Sequence, residues 1–132
     1  MFEWKQEYRV EIPEVDAQHQ RLFALAEELH VARSQGKSKL ILEQALRRLI
    51  TYTKVHFAAE EKLMQSYGYA ASAAHKREHD KLADQVVEFQ NRFRQQDVCL
   101  GLDLMQFLKN WLEAHIKGSD QKYAAHIRSR AA

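Results

Sequence analysis

The sequence predicts an all-α protein, an antiparallel up-and-down four-helix bundle with an extended N-terminal arm and a short C-terminal helix. Three observations carry that expectation. Only four Gly and one Pro occur in 132 residues, and they fall as punctuation between or at the ends of periodic segments. Within those segments apolar residues recur at steps of three and four, the spacing of a helix with one buried face. The connections are roughly five to eight residues long, which makes successive helices antiparallel neighbours.

Each element can be justified in order. The arm, residues 1–16, opens MFEWKQEYRV and contains Pro13. The first helix is expected from about Ala17 to Gln35, with Leu22, Phe23, Ala26 and Leu29 on one face and Asp16 as N-cap. Ser38 opens the second, whose stripe reads Leu42, Leu46, Leu49, Thr53, His56, Glu60 and Leu63. The third begins near Ser72 and carries His75, His79, Leu82, Val86, Phe89 and Phe93. The fourth, from about Leu102, carries Leu104, Leu108, Trp111 and His115, and a short C-terminal helix follows. We therefore expect one domain over residues 1–132, with the arm at 1–16 and the bundle at 17–130.

Composition narrows the function classes. A hydrophobic content of 45% and a charged content of 29% are ordinary for a globular protein. A net charge of +2, without Lys and Arg interleaved with aromatics, gives no nucleic-acid signature. The charged and aromatic start lacks the apolar run of a signal peptide, and no window reaches the length of a membrane span. The reading is a cytoplasmic protein with no membrane insertion. The single cysteine, Cys99, agrees with a reducing compartment and reads as a small hydrophobe near a helix start.

Chemistry shows in what interrupts the stripes. His56, Glu60, His75, His79 and His115 hold core positions, and His19 shares the stripe of Leu22 and Phe23. One buried His is common; five with a Glu need a counter-ion. With alternating helix direction all six fall at the same end of the bundle. A second carboxylate is offered by HIKGSD, residues 115–120. A step of five turns about 140° on a regular helix, so Asp120 can join His115 only if the helix ends or distorts at Gly118. Five imidazoles and two carboxylates are too many for one structural zinc and suit two ions joined by bridging carboxylates, with iron among the fitting metals. Of the Glu-x-x-His pairs that ferritin-like di-iron proteins use twice, only EELH (27–30) is present. HKREH (75–79) matches a zinc-peptidase pattern, yet Glu78 faces about 100° away from His79 and cannot serve as its base.

The motifs VDAQH (15–19), HFAAEE (56–61), HKREH (75–79) and WLEAHIKGSDQKY (111–123), in this order, resemble the hemerythrin family, specifically its single-domain bacterial members. The likeness runs from Trp4 to Tyr123; Glu11 stands where many relatives have Gly, and Ala70 where Pro is frequent. The resemblance implies two non-haem iron ions (Fe2+/Fe3+) with a bridging oxo or hydroxo. His75, His79 and His115 would hold one ion, His19 and His56 the other, and Glu60 and Asp120 would bridge them. It also implies an open position on the two-imidazole ion for dioxygen, bound reversibly for storage or for delivery to an oxygen-consuming enzyme, with no catalysis. Sensing of oxygen, nitric oxide or redox state through the same site is the alternative, and an iron oxidase or peroxidase a further one.

Leu112, one turn before His115, matches the position that lines the family's pocket, and plain core packing accounts for it equally. Tyr123 is expected beside the ligands or simply packed, and Trp4 and Trp111 as cover and core. His30 and His126 read as structural or surface histidines; Glu61, Glu78 and Lys76 read as a solvated face.

Overall fold

The computed structural model describes residues 1–95 and 102–131. Among them all regular structure is helical, so the bundle class expected from the spacing holds. Cys99 and Gly101 lie outside the described residues.

Four long helices make the bundle: α1 (Pro13–Ser34), α2 (Lys39–Ser66), α3 (Ser72–Gln95) and α4 (Leu102–His115). A π-helical segment, Ile116–Asp120, leads straight into α5 (Gln121–Ala131). α1 packs on α2 and α2 on α3. Ser38 caps α2 as expected, its hydroxyl accepting from the Ile41 amide at 3.3 Å. No described helix is long and apolar enough to cross a membrane.

α1 starts one turn earlier than the pattern suggested. Pro13 is its first residue rather than part of the arm, because its fixed φ and missing N–H suit the first helical position. Asp16 is therefore not the N-cap. Its buried carboxylate instead takes the amides of Val10 and Glu11 at 2.8 and 3.1 Å, folding the arm back on the helix. Glu11 makes that turn with a φ of 62°, a conformation that costs a side chain about 1–2 kcal/mol.

The buried side chains form two apolar layers. The larger includes Leu22, Ala26, Leu29, Leu46, Leu49, Leu82, Val86, Leu104 and Leu108. The smaller, nearer the end of the bundle, joins Val10, Val15, Met64, Tyr123, Ala124 and Ile127. Along α1, α2 and the α4 to α5 run, the histidines and carboxylates sit between these two sets. The arm closes the flank: Tyr8 stacks on Phe23 with ring centroids 5.1 Å apart, and Trp4 stands edge-on to Phe23 at 5.5 Å.

Candidate metal centre

Seven polar side chains meet in the layer between the two apolar sets. His19 comes from the first turns of α1, His56 and Glu60 from α2, and His75 and His79 from the start of α3. His115 ends α4 and Asp120 ends the π-helical segment. All seven are buried, Asp120 to 1% exposure.

Asp120 reaches the layer because the helix widens. In a π turn the backbone bonds run from i to i+5, so a five-residue step overshoots a full turn by much less than on an α-helix. His115 Nε2 and Asp120 Oδ1 are consequently 3.1 Å apart. Gly118 is not sterically required there: its φ is not positive, and a Cβ built on it meets no atom within 4 Å. Its weak helix propensity eases the distortion without forcing it.

The nitrogens fall into two sets joined by the carboxylates. Asp120 Oδ1 lies 3.0 Å from His75 Nε2 and 3.1 Å from His115 Nε2, while its Oδ2 lies 3.1 Å from His19 Nε2. Glu60 Oε1 is 3.0 Å from His56 Nε2 and 3.6 Å from His79 Nε2, and Oε2 is 3.6 Å from His19 Nε2. Among the described residues two groupings could hold a cation: Glu60, His75, His79, His115 and Asp120 in one, and His19, His56 and Glu60 in the other. Within each group one ligand atom per residue lies within 4.8 Å of all the rest.

These short distances are not a satisfied hydrogen-bond network. His19 Nε2, His75 Nε2, Glu60 Oε1 and both Asp120 oxygens are buried without a hydrogen-bond partner among the described residues. They approach one another to bonding distance with directions that do not align donor to acceptor. Leaving that many buried polar atoms unpaired is costly, and lone pairs that converge on common points are what a cation would satisfy. Imidazole nitrogens with carboxylate oxygens form a donor set that suits iron.

The electrostatics agree. Burial alone would depress the His19 imidazole, but the adjoining carboxylates of Asp120 and Glu60 outweigh it and raise the pKa to about 9. His75 is raised for the same reasons against the same burial. Burial raises Glu60, as does the charge of Asp120, yet His19 and His56 pull it down to about 2. Asp120 is held well below the carboxylate range by His115, His19 and His75 despite its burial. His79 is depressed to about 3, chiefly by burial and with the neighbouring His115 and His75 adding to it. Both carboxylates are thus anionic at neutral pH, and His79 is a neutral imidazole.

A ring of neighbours fixes the ligands. Tyr123 donates its hydroxyl to Glu60 Oε2. His79 Nδ1 is 2.8 Å from Glu61 Oε2, and His56 Nδ1 is 2.6 Å from Gln18 Oε1. Phe57 stacks on His79 with centroids 3.7 Å apart, and Trp111 on His115 at 4.3 Å. Glu61 therefore does not belong to the solvated face expected from its position; Lys76 and Glu78 do, and both are exposed. Gln18 carried no signal in the sequence beyond standing next to His19. His30 and His126 lie outside both groupings: His30 stands edge-on to Phe2, and His126 Nε2 is 2.8 Å from the Tyr67 carbonyl.

One turn along from His19, His79 and His115, toward the larger apolar layer, lies a cavity of about 30 Å³. Leu22, Ala26, Phe57, Leu82, Trp111 and Leu112 are among its walls, so Leu112 lines a pocket and does not merely fill the core.

Fold and cluster define a helical-bundle protein with a buried imidazole and carboxylate set able to bind metal. More narrowly, the chain belongs to the hemerythrin family: the profile of the hemerythrin HHE cation binding domain matches residues 10–127. It is similar to the bacteriohemerythrin of Stenotrophomonas maltophilia (strain R551-3), 34% identical over 126 residues that cover 96% of this chain and 81% of that one. A bacteriohemerythrin of Methylococcus capsulatus (strain Bath) is 36% identical over 117 residues, covering 89% of this chain and 88% of that one. Among solved structures, a wild-type hemerythrin crystal structure superposes with a TM-score of 0.89 at 32% identity, covering 95% and 96% of the two chains.

Proposed function

We propose that the chain binds dioxygen reversibly at a non-haem di-iron centre, for storage or for delivery to an oxygen-consuming enzyme. His75, His79 and His115 would hold one ion and His19 and His56 the other, with Glu60 and Asp120 bridging. The observation that carries this reading is the unequal division of five imidazoles between two carboxylates that each face both sets. When bound there, a pair of iron ions would supply reversible electron transfer to dioxygen.

The residues do the rest. Glu60 and Asp120 supply the negative charge that two cations need in a buried layer, and each is held anionic by the imidazoles around it. Tyr123 fixes the orientation of Glu60 by its hydroxyl. The cavity beside the layer is walled largely by apolar side chains, so it offers water few hydrogen-bond partners and suits a small neutral diatomic. Leu112, Phe57 and Trp111 cover the imidazole layer on that side and exclude water from it.

Carriage is favoured over peptidase chemistry by Glu78, which is exposed and hydrogen-bonded to Ser119 Oγ at 3.0 Å instead of standing free beside a metal position. Spectroscopic titration of the anaerobically reduced, iron-loaded protein with dioxygen tests the reading. Visible absorbance that rises with oxygen and fades on its removal over repeated cycles is expected; one irreversible conversion on first exposure contradicts it.

A further inference from the structure

We propose that Glu61 positions His79 and that Gln18 positions His56, so that the three-imidazole side of the centre is backed by a carboxylate and the two-imidazole side by a neutral amide. The inference rests on the metal-centre reading above and adds a difference between its halves.

His79 Nδ1 lies 2.8 Å from Glu61 Oε2, and a carboxylate there can only accept. The ring proton is thereby held on Nδ1, and the Nε2 lone pair is turned toward the cluster, where it lies 3.1 Å from His115 Nε2. Lys76, whose charge acts on Glu61, makes its ion pair with Asp80 at 2.8 Å. On the other side His56 Nδ1 lies 2.6 Å from Gln18 Oε1, which accepts the same proton without a charge. His19 Nδ1 has no hydrogen-bond partner among the described residues. Glu78 stands 4.0 Å from His115 Nδ1, beyond hydrogen-bond reach, so it adds charge but no direction on the three-imidazole side.

A carboxylate behind an imidazole strengthens it as a donor and fixes its tautomer; an amide fixes the tautomer with less electronic effect. The three-imidazole side would therefore be the stronger donor set. The two-imidazole side stays the weaker donor set, suited to an ion that must bind and release a ligand.

The test uses the full-length chain in two measurements. Nitrogen-15 NMR of the metal-free protein reads the tautomer of each imidazole, and chelator competition followed by visible absorption reads Co2+ affinity. Wild type should show His79 protonated on Nδ1. Glu61→Ala should lose that preference and bind Co2+ about 10- to 100-fold more weakly. Glu61→Gln, which keeps the acceptor, should retain the tautomer and recover part of the affinity, while Glu78→Ala should leave the His79 tautomer as in wild type. A wild-type His79 protonated on Nε2, or a Glu61→Ala chain that binds Co2+ as tightly as wild type, overturns the proposal. A wild-type chain that takes up no Co2+ overturns the metal-centre reading instead, and the tautomer of His79 then decides the role of Glu61 alone.

Discussion

Two layers of the same bundle use the same helical positions to opposite energetic effect. In the larger apolar layer, Leu46, Leu29 and Leu108 sit on the stripe and stabilise the fold simply by leaving water. One to three turns along, His56, Glu60, His79 and His115 continue those stripes, and their burial opposes folding until something pairs their lone pairs. Helical period selects what is buried. It does not select what burial is for.

The contrast is broken most severely by taking the cation away. His79→Ala should abolish iron loading and with it the metal-dependent gain in stability, about 4 kcal/mol when free ion stands a thousandfold above its dissociation constant. His30→Ala should keep that gain; thermal unfolding with iron and with chelator measures both. A pH signature accompanies it. The metal-free His19 imidazole is raised from 6.5 to about 9, so its contribution is full below 6.5 and is lost as pH rises through 9. In the loaded protein the ion replaces that proton. Stability should then hold over this window and fall instead at acid pH, where protons compete for the imidazoles.

Leu46→Ala, in the apolar layer, should cost about 2–5 kcal/mol to the same extent with and without iron. Denaturant titrations of both forms check that equality, and a cost confined to the loaded form would join two layers held here to be separate. Tyr123→Phe removes the hydroxyl donor to buried Glu60 and should cost about 1.5–3 kcal/mol, read by denaturation of the metal-free protein. The smallest effect is expected outside both layers. Glu11→Gly relieves the positive φ of the arm and should stabilise the chain by about 1 kcal/mol in differential scanning calorimetry.

The sequence made the apolar stripes, the helix order and the common end of the histidines legible, because period and chain direction alone determine them. Asp120 was reachable only by expecting a fault near Gly118, and the π turn supplies that fault without needing glycine for steric reasons. The start of α1 escaped the pattern because Asp16, a good capping residue by type, binds the arm's amides while Pro13 sets the first turn. Glu61 and Gln18 were missed for a different reason. A helical wheel gives the direction of Cβ, whereas these long side chains bend back by several bonds to meet a ring nitrogen.

Metal content per chain, measured on wild type beside His75→Ala and His19→Ala, tests the central claim most directly. Two nitrogen sets sharing two carboxylates should hold about two iron ions per chain in wild type, with each variant losing occupancy and the other set unable to restore the pair. A single ion per chain, zinc in place of iron, or full occupancy in either variant would contradict it.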